Sequence, residues 1–405
     1  MGTYLNPGNS GFKRIIGSDY VDKTGLISIL NVTIGTTKNL TCVSRPRRFG
    51  KSYAAQMLCA YYDKTCDSHD LFSKYDIADD PSYSKHLNKY DVIYLDMTNL
   101  LGKVSSKELV PYIEIKIKEE INKAYFTLDV EGSLDEVLIA ATGLVKNKFI
   151  MIIDEWDAPI REAPEIEEEY LKFLRMLFKS SSTTSRIFAA VYMTGILPIK
   201  KDGSQSAISD FQEYSVLDPG GYAGYVGFTE EEVRRICEEK GRNFDNMKKW
   251  YDGYTFGEIR SIYNPYSVMQ AVDTGRYRSY WKKTSAAEIL MTYIDMDQDG
   301  LQDEIARLIA GESIDIDIDS FQNDVKTFTC KDDVLTLLVH LGYLTYEEVS
   351  DSYDGGDDIA GLVRIPNEEV RTEFEKILRK AKHRELIELV MHQPITAMNR
   401  VSDTW

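Results

Sequence analysis

Asn39-Leu40-Thr41-Cys42-Val43-Ser44 is followed directly by Arg45-Pro46-Arg47-Arg48-Phe49-Gly50-Lys51-Ser52. The first six residues are rich in β-branched and apolar types and read as a strand. From Lys51 to Tyr62, the residues Ala54, Ala55, Leu58 and Tyr62 recur at helical spacing. A turn between strand and helix that ends in Gly-Lys-Ser is the setting of a phosphate-binding loop. Backbone N–H groups at the helix start face the phosphate. The Lys51 ammonium is placed to reach the outer phosphate oxygens, and the Ser52 hydroxyl is placed to hold a magnesium ion. One position departs from the usual GxxxxGK[ST] spacing, because Arg45 stands where the first glycine belongs. Arg47, Arg48, Phe49, Gly50, Lys51, Ser52 and Tyr53 are the candidate nucleotide contacts. The sequence leaves open whether Arg47 and Arg48 meet phosphate or pair with neighbouring acids.

Such a loop needs an acidic partner. Phe149-Ile150-Met151-Ile152-Ile153-Asp154-Glu155 is an apolar run ending in two carboxylates. It reads as a strand buried on both faces, and acids at its C-terminal end lie where open α/β sheets bind ligands. Asp154 is expected to hold magnesium with Ser52, and Glu155 to orient and deprotonate a water. Two further strands are read at Val92–Asp96 and Ile187–Thr194, and a fifth at Tyr214–Leu217. About 100 residues and one extra strand separate loop and acid, so the strand 187–194 is expected to lie between theirs. Thr194 at its end is then a candidate polar sensor with a catalytic role beside Glu155 and Lys51; a strand-capping threonine is the alternative.

Helices are read at 106–124, 134–145 and 165–179, so strands alternate with helices. That pattern predicts an α/β fold, a P-loop NTPase parallel sheet with helices on both faces. Near Gly227 the texture changes. Phe228–Gly241 carries Thr229 and Glu232 as a capping box and a glycine stop. Residues 243–325 read as mostly helical. From 331 a helix, a strand, an acidic glycine-rich turn, a strand and a helix follow, as in a winged-helix segment. The expected division is a core at 1–226, a helical lid at 227–325, and a winged-helix-like part with a C-terminal helix at 326–405.

Bulk properties narrow the function. The 405 residues carry a net charge of -17, yet residues 1–60 hold eight cations against two acids. An acidic chain with one basic segment suits a small, highly charged anion rather than nucleic acid held by this chain alone. No run of about 18 apolar residues is present, so no membrane association is expected, and the N-terminus lacks the apolar core of a signal peptide. Five scattered cysteines give neither a zinc pattern nor a disulfide framework, and a reducing cytoplasm is expected. Asp295–Gly300 resembles the start of a calcium loop, but position twelve is Ala306 rather than glutamate; a helix-capping acidic turn is the better reading. Asp315–Asp319 alternates acid and isoleucine like an edge strand, and Asp351–Asp358 reads as a solvated hairpin tip. Around Trp250 and Tyr251, packing is favoured over base stacking.

Several strings in one order resemble the bacterial AAA-ATPase-like family. They are Tyr20-Val21-Asp22-Lys23-Thr24, Arg45 to Ser52, Ile152-Ile153-Asp154-Glu155, Trp250-Tyr251-Asp252-Gly253-Tyr254 and Tyr263-Asn264-Pro265-Tyr266-Ser267. Gly342-Tyr343-Leu344-Thr345 and Ile365-Pro366-Asn367-Glu368-Glu369-Val370-Arg371 extend the resemblance over roughly 5–380. In that family the first Walker glycine is also commonly replaced by arginine. The resemblance implies an ATPase core, a lid and a winged-helix-like segment, with ATP and Mg2+ as cofactors. Many members continue into a PD-(D/E)XK nuclease-like domain, and no strand-borne Asp…Glu-x-Lys set is read before Trp405. The expected activity is Mg-dependent ATP hydrolysis coupled to conformational change. The alternatives are a nucleotide-gated switch with negligible turnover and a DNA-binding module. No base-reading motif separates ATP from GTP. Arg161, Arg175 and Arg186 are finger candidates without motif support, and self-association or a partner protein stays open.

Overall fold

A computed structural model describes residues 2–125, 131–199, 208, 210–281, 300–318, 321, 328, 330–349 and 360–380. The chain forms two compact units. The first comprises Met1–Arg45 and Gly50–Ser215, and the second Pro46–Phe49 and Val216–Trp405.

The first unit is built on five parallel strands: β1 (Leu40–Ser44), β2 (Asp91–Asp96), β3 (Phe149–Asp154), β4 (Phe188–Gly195) and β5 (Gln212–Tyr214). Their spatial order is β2-β3-β4-β1-β5, so β4 does lie between the strand of the loop and the strand of the acids. All six residues of β3 and all eight of β4 are buried, which is why these strands read as unbroken apolar runs. Helix Leu109–Ala124 lays Ile113, Ile117 and Ile121 onto the core at four-residue spacing. Helix Glu167–Phe178 buries Tyr170, Phe173, Leu174 and Leu177, and carries three glutamates in its first turn and Arg175 in its last, both favourable to its dipole.

Strand β5 sits two residues earlier than the sequence suggests. It pairs with β1 from Thr41↔Gln212 to Val43↔Tyr214, and the next carbonyl, that of Ser215, is turned to an arginine side chain rather than to a ladder partner.

In the second unit, β6 (Phe228–Thr229), β7 (Tyr254–Phe256) and β8 (Ile259–Tyr263) form an antiparallel sheet of order β6-β8-β7. This corrects the expectation that 243–325 is mostly helical. Gly257, at φ 58°, makes the turn that folds β7 onto β8, and the aromatic and β-branched residues flanking it pack across the pair. The capping box predicted at Thr229 and Glu232 is present, with Gly241 as left-handed stop. Asn264 caps helix Pro265–Thr274 with proline in the first turn, so Asn264-Pro265 starts a helix rather than merely a turn. A second sheet, β10-β11-β9, joins β9 (Ile314–Asp317), β10 (Thr345–Glu348) and β11 (Ala360–Arg364), all antiparallel. Helix Lys331–Leu341 precedes the β10–β11 pair and helix Glu368–Lys380 follows it. As an edge strand, β9 buries Ile314 and Ile316 and exposes Asp315 and Asp317. Residues 295–299, 319 and 351–358 lie outside the described residues.

Candidate functional site

The C-terminal ends of β1, β4 and β3 meet in register, with Ser44 opposite Gly195 and Ile153 opposite Met193. Lys51, the first residue of helix Lys51–Tyr62, is buried there. Gly50 precedes it at φ 94°, a left-handed turn that a side chain would strain. The Lys51 ammonium donates to the Arg45 carbonyl at 3.1 Å and lies 3.4 Å from Glu155 Oε1. Ser52 and Tyr53 are exposed at the start of the helix.

Arg45 is fully buried, and its Nη1 donates to the carbonyls of Ser44 (2.8 Å), Tyr214 (2.8 Å) and Ser215 (2.9 Å). The residue in the first glycine position is therefore a plug that ties the strand ends together. Its guanidinium faces backbone oxygen, where each charge-assisted hydrogen bond contributes about 1.5–3 kcal/mol.

Pro46–Phe49 pack within the second unit. The Phe49 ring is buried, edge-on to Tyr254 at 5.1 Å and tilted against Phe256 at 5.7 Å. Arg48, at φ 71°, donates to the Tyr280 carbonyl at 2.8 Å and lies 4.6 Å over the Tyr266 ring. These two side chains, read from the sequence as nucleotide contacts, are engaged in packing within the second unit. Arg47 is half-buried and forms no ion pair with a described residue.

On the acidic side, Asp154 is buried and accepts from Thr194 Oγ1 at 2.6 Å; Ser52 also hydrogen-bonds to its carboxylate. Burial pushes the Asp154 carboxyl up to about 6, against the opposing pull of those two hydroxyls. The Glu155 N–H donates to Thr194 Oγ1 at 3.3 Å. Glu155 itself sits at φ 55°, a conformation that costs a residue with a side chain about 1–3 kcal/mol. Its carboxylate lies between two cations, Lys51 and Arg161, whose Nη2 is 3.0 Å from Oε2.

Sequence reasoning did not find this role for Arg161, nor the role of Asp157. Arg161 Nε donates to Asp157 Oδ2 at 2.8 Å, and the same oxygen accepts from the Ile196 and Leu197 N–H groups at 3.2 and 3.0 Å. Asp157 thus pins the segment after β4 to the loop after β3. The four-residue separation of Asp157 and Arg161 on helix-forming sequence was the available signal. Arg161 is the one finger candidate brought to the acids; Arg186 is exposed and Arg175 half-buried on other helices.

Tyr20–Thr24 is a structural tie. Asp22 accepts from the Thr24 and Asp76 N–H groups, both at 2.8 Å, and Thr24 Oγ1 accepts from Ile77 at 3.1 Å. Among the described residues no group of three His, Cys, Asp or Glu could hold a metal. One carboxylate and one hydroxyl, hydrogen-bonded to each other, nevertheless fit a magnesium ion, which keeps several waters and shares phosphate oxygens. No helix of the described residues is long and apolar enough to cross a membrane.

Comparison with curated proteins gives no match. Among solved structures, the Aeropyrum pernix ORC1 protein in complex with DNA shares 11% identity and a TM-score of 0.32, over 94% of this chain and 98% of that one. The Aeropyrum pernix ORC2 protein in ADPNP–ADP complexes shares 11% and 0.38, over 94% and 98%. Caenorhabditis elegans PCH-2 shares 11% and 0.30, over 94% and 75%. These likenesses are distant. The family model described as a predicted AAA-ATPase matches residues 7–204, the segment that contains both Lys51 and Glu155. Over these residues, just under half of its length, the chain is similar to the AAA-ATPase-like family.

Proposed function

We propose that this protein binds ATP with magnesium and hydrolyses it. The observation that carries this reading is the convergence of Lys51, Ser52, Asp154, Glu155 and Thr194 at the ends of three adjacent parallel strands, with Lys51 3.4 Å from Glu155 and Thr194 2.6 Å from Asp154. In this reading the loop N–H groups and Lys51 hold the β- and γ-phosphates, with Arg47 and Tyr53 as further contacts. Ser52 and Asp154 hold the magnesium, which when bound neutralises charge on the phosphate oxygens. Glu155 takes the proton of the attacking water as its oxygen bonds to the γ-phosphorus and the bond to the bridging oxygen breaks. Thr194, which touches both Asp154 and the Glu155 N–H, positions the two acids.

The reading divides the chain into an ATPase core at 1–226, a lid at 227–325 and a winged-helix-like part at 326–405. Hydrolysis is coupled to conformational change.

One observation favours a second reading, a nucleotide-gated switch with negligible turnover. The carboxylate proposed as base is engaged by Lys51 on one oxygen and by Arg161 on the other, which leaves fewer of its acceptor positions to a water. Magnesium-dependent ATP binding and turnover of the chain, beside Lys51→Ala and Glu155→Gln, separate the readings. Loss of binding in the first and loss of turnover alone in the second support the hydrolase. Tight binding without turnover in the unaltered chain supports the switch, and absence of binding overturns both.

A further inference from the structure

A cavity of about 540 Å³ opens wholly within the second unit. Two sequence strings that the nucleotide site leaves unused converge on it: Trp250–Tyr254 through Asp252 and Gly253, and Ile365–Arg371 through Pro366, Asn367 and Arg371. Their backbones touch. Gly253 sits at φ 106°, and a side chain there would run into the Pro366 carbonyl. Asn367 Nδ2 donates to the Asp252 carbonyl at 2.7 Å. The floor of the cavity is therefore fixed by main chain.

The charges on the walls do not cancel. Lys248 is paired with Glu230 at 2.6 Å and Asp252 at 3.8 Å, Arg364 with Glu347 at 3.3 Å, and Glu312 with Arg307 at 2.8 Å. Lys249, Arg260 and Arg371 also line the cavity and form no ion pair with a described residue. Against these three cations stands one lining carboxylate without an ion pair to a described residue, that of Glu368. The lining as a whole carries five cations and four carboxylates, a net charge of about +1, in a chain whose net charge is -17. Two of the three cations are guanidinium groups, whose planar forks match tetrahedral oxyanions. The volume is that of a small-molecule site, and Glu312, Glu347 and Glu368 at the walls oppose a polyanionic strand.

We propose that this cavity binds the phosphate dianion of a small molecule, gripped by Arg260 and Arg371 with Lys249 alongside. The ligand is a free phosphomonoester or inorganic phosphate. The site is independent of the nucleotide loop, because none of its residues belongs to that loop.

The test uses the full chain carrying Lys51→Ala, so that phosphate held by the loop does not contribute. Isothermal titration with glycerol 2-phosphate and with inorganic phosphate is compared with succinate at low salt. One saturable site per chain is expected for at least one phosphate probe. Arg260→Gln and Arg371→Gln should each weaken it about tenfold or more, since each removes a charge-assisted fork. Binding of glycerol 2-phosphate alone identifies an organic phosphomonoester; binding of both identifies the bare phosphate group. Absence of saturation by about 10 mM, unchanged affinity in both arginine variants, or equal affinity for succinate overturns the proposal. So does tighter, Arg371-dependent binding of a single-stranded oligonucleotide. Circular dichroism establishes that each variant is folded, and Lys249→Gln replaces any that is not.

Discussion

Replacing Arg161 by glutamine tests whether the acids of the site are held by one cation. Among the described residues the change leaves Asp157, 1% exposed, with the Ile196 and Leu197 N–H groups, and Glu155 keeps its contact with Lys51. Removing one partner of a buried ion pair costs about 3–5 kcal/mol. Two backbone donors still serve Asp157, which places the loss near the lower end, about 3 kcal/mol. The Glu155 contact adds at most about 1 kcal/mol, because that carboxylate is one-fifth exposed. Asp157→Asn removes the charge that needs compensating, so the double variant should be less damaged than the sum of the two singles by about 2 kcal/mol. Urea unfolding followed by tryptophan fluorescence measures this. Trp156 reports on the first unit, and Trp250 and Trp281 on the second, so separate transitions can be assigned. If ATP turnover is present, it should rise about fivefold in Arg161→Gln, the worth of a partly exposed pair that no longer restrains Glu155. Losses that add within about 0.5 kcal/mol would refute the shared network.

Other outcomes follow from the same geometry. Burial raises the Asp154 carboxyl from an ordinary 3.8 to about 6, so magnesium-dependent nucleotide binding should fall about tenfold per pH unit below 6, as read by titration between pH 5 and 8. The stability effect has the opposite sense. Because the folded value is raised, this group's contribution is full below 3.8 and lost as pH rises through 6, and Asp154→Asn should stabilise the first unit at pH 7.5 by about 3 kcal/mol or less. Arg45→Gly restores the common loop pattern yet should destabilise by about 3 kcal/mol, because three carbonyls lose their donor; an unchanged denaturation midpoint contradicts the plug. Gly253→Ala should cost the second unit about 2 kcal/mol or more through its left-handed φ and the Pro366 carbonyl; calorimetry that leaves this unit's transition in place speaks against the fixed cavity floor.

Much of the first unit was legible because its strands are buried on both faces and its helices have clean apolar stripes. Phe149–Asp154 and Lys51–Tyr62 fall where the sequence put them, and the placement of β4 between β3 and β1 followed from the spacing of the motifs. Less was legible where a side chain acts on backbone. Nothing in the string Arg45-Pro46 says that a guanidinium satisfies the carbonyls of Tyr214 and Ser215 at the end of β5. The packing partners of the loop side chains Arg48 and Phe49 were not legible for a related reason: Tyr280 and Tyr254 lie some 200 residues away. The β7–β8 hairpin was missed because short strands with one glycine turn carry too little periodicity to outweigh helical neighbours. Arg161 was visible as a candidate and lacked only its partner, since a helical i,i+4 pair is common on ordinary surfaces.

The order of the strands also governs how the protein is made. Strand β1 emerges early, but its neighbours are β4 and β5, and Leu40 pairs with Val191. At about 5–20 residues per second the ribosome needs roughly 8–30 s to cover those about 150 residues. Throughout that interval the segment bearing Gly50 and Lys51 has a helix behind it and no sheet beneath it. Only when Gln212–Tyr214 has left the tunnel is the edge beside β1 closed and Arg45 seated. A chain released before that point would carry the whole Arg45–Ser52 segment without the two strands that flank β1 in the finished sheet.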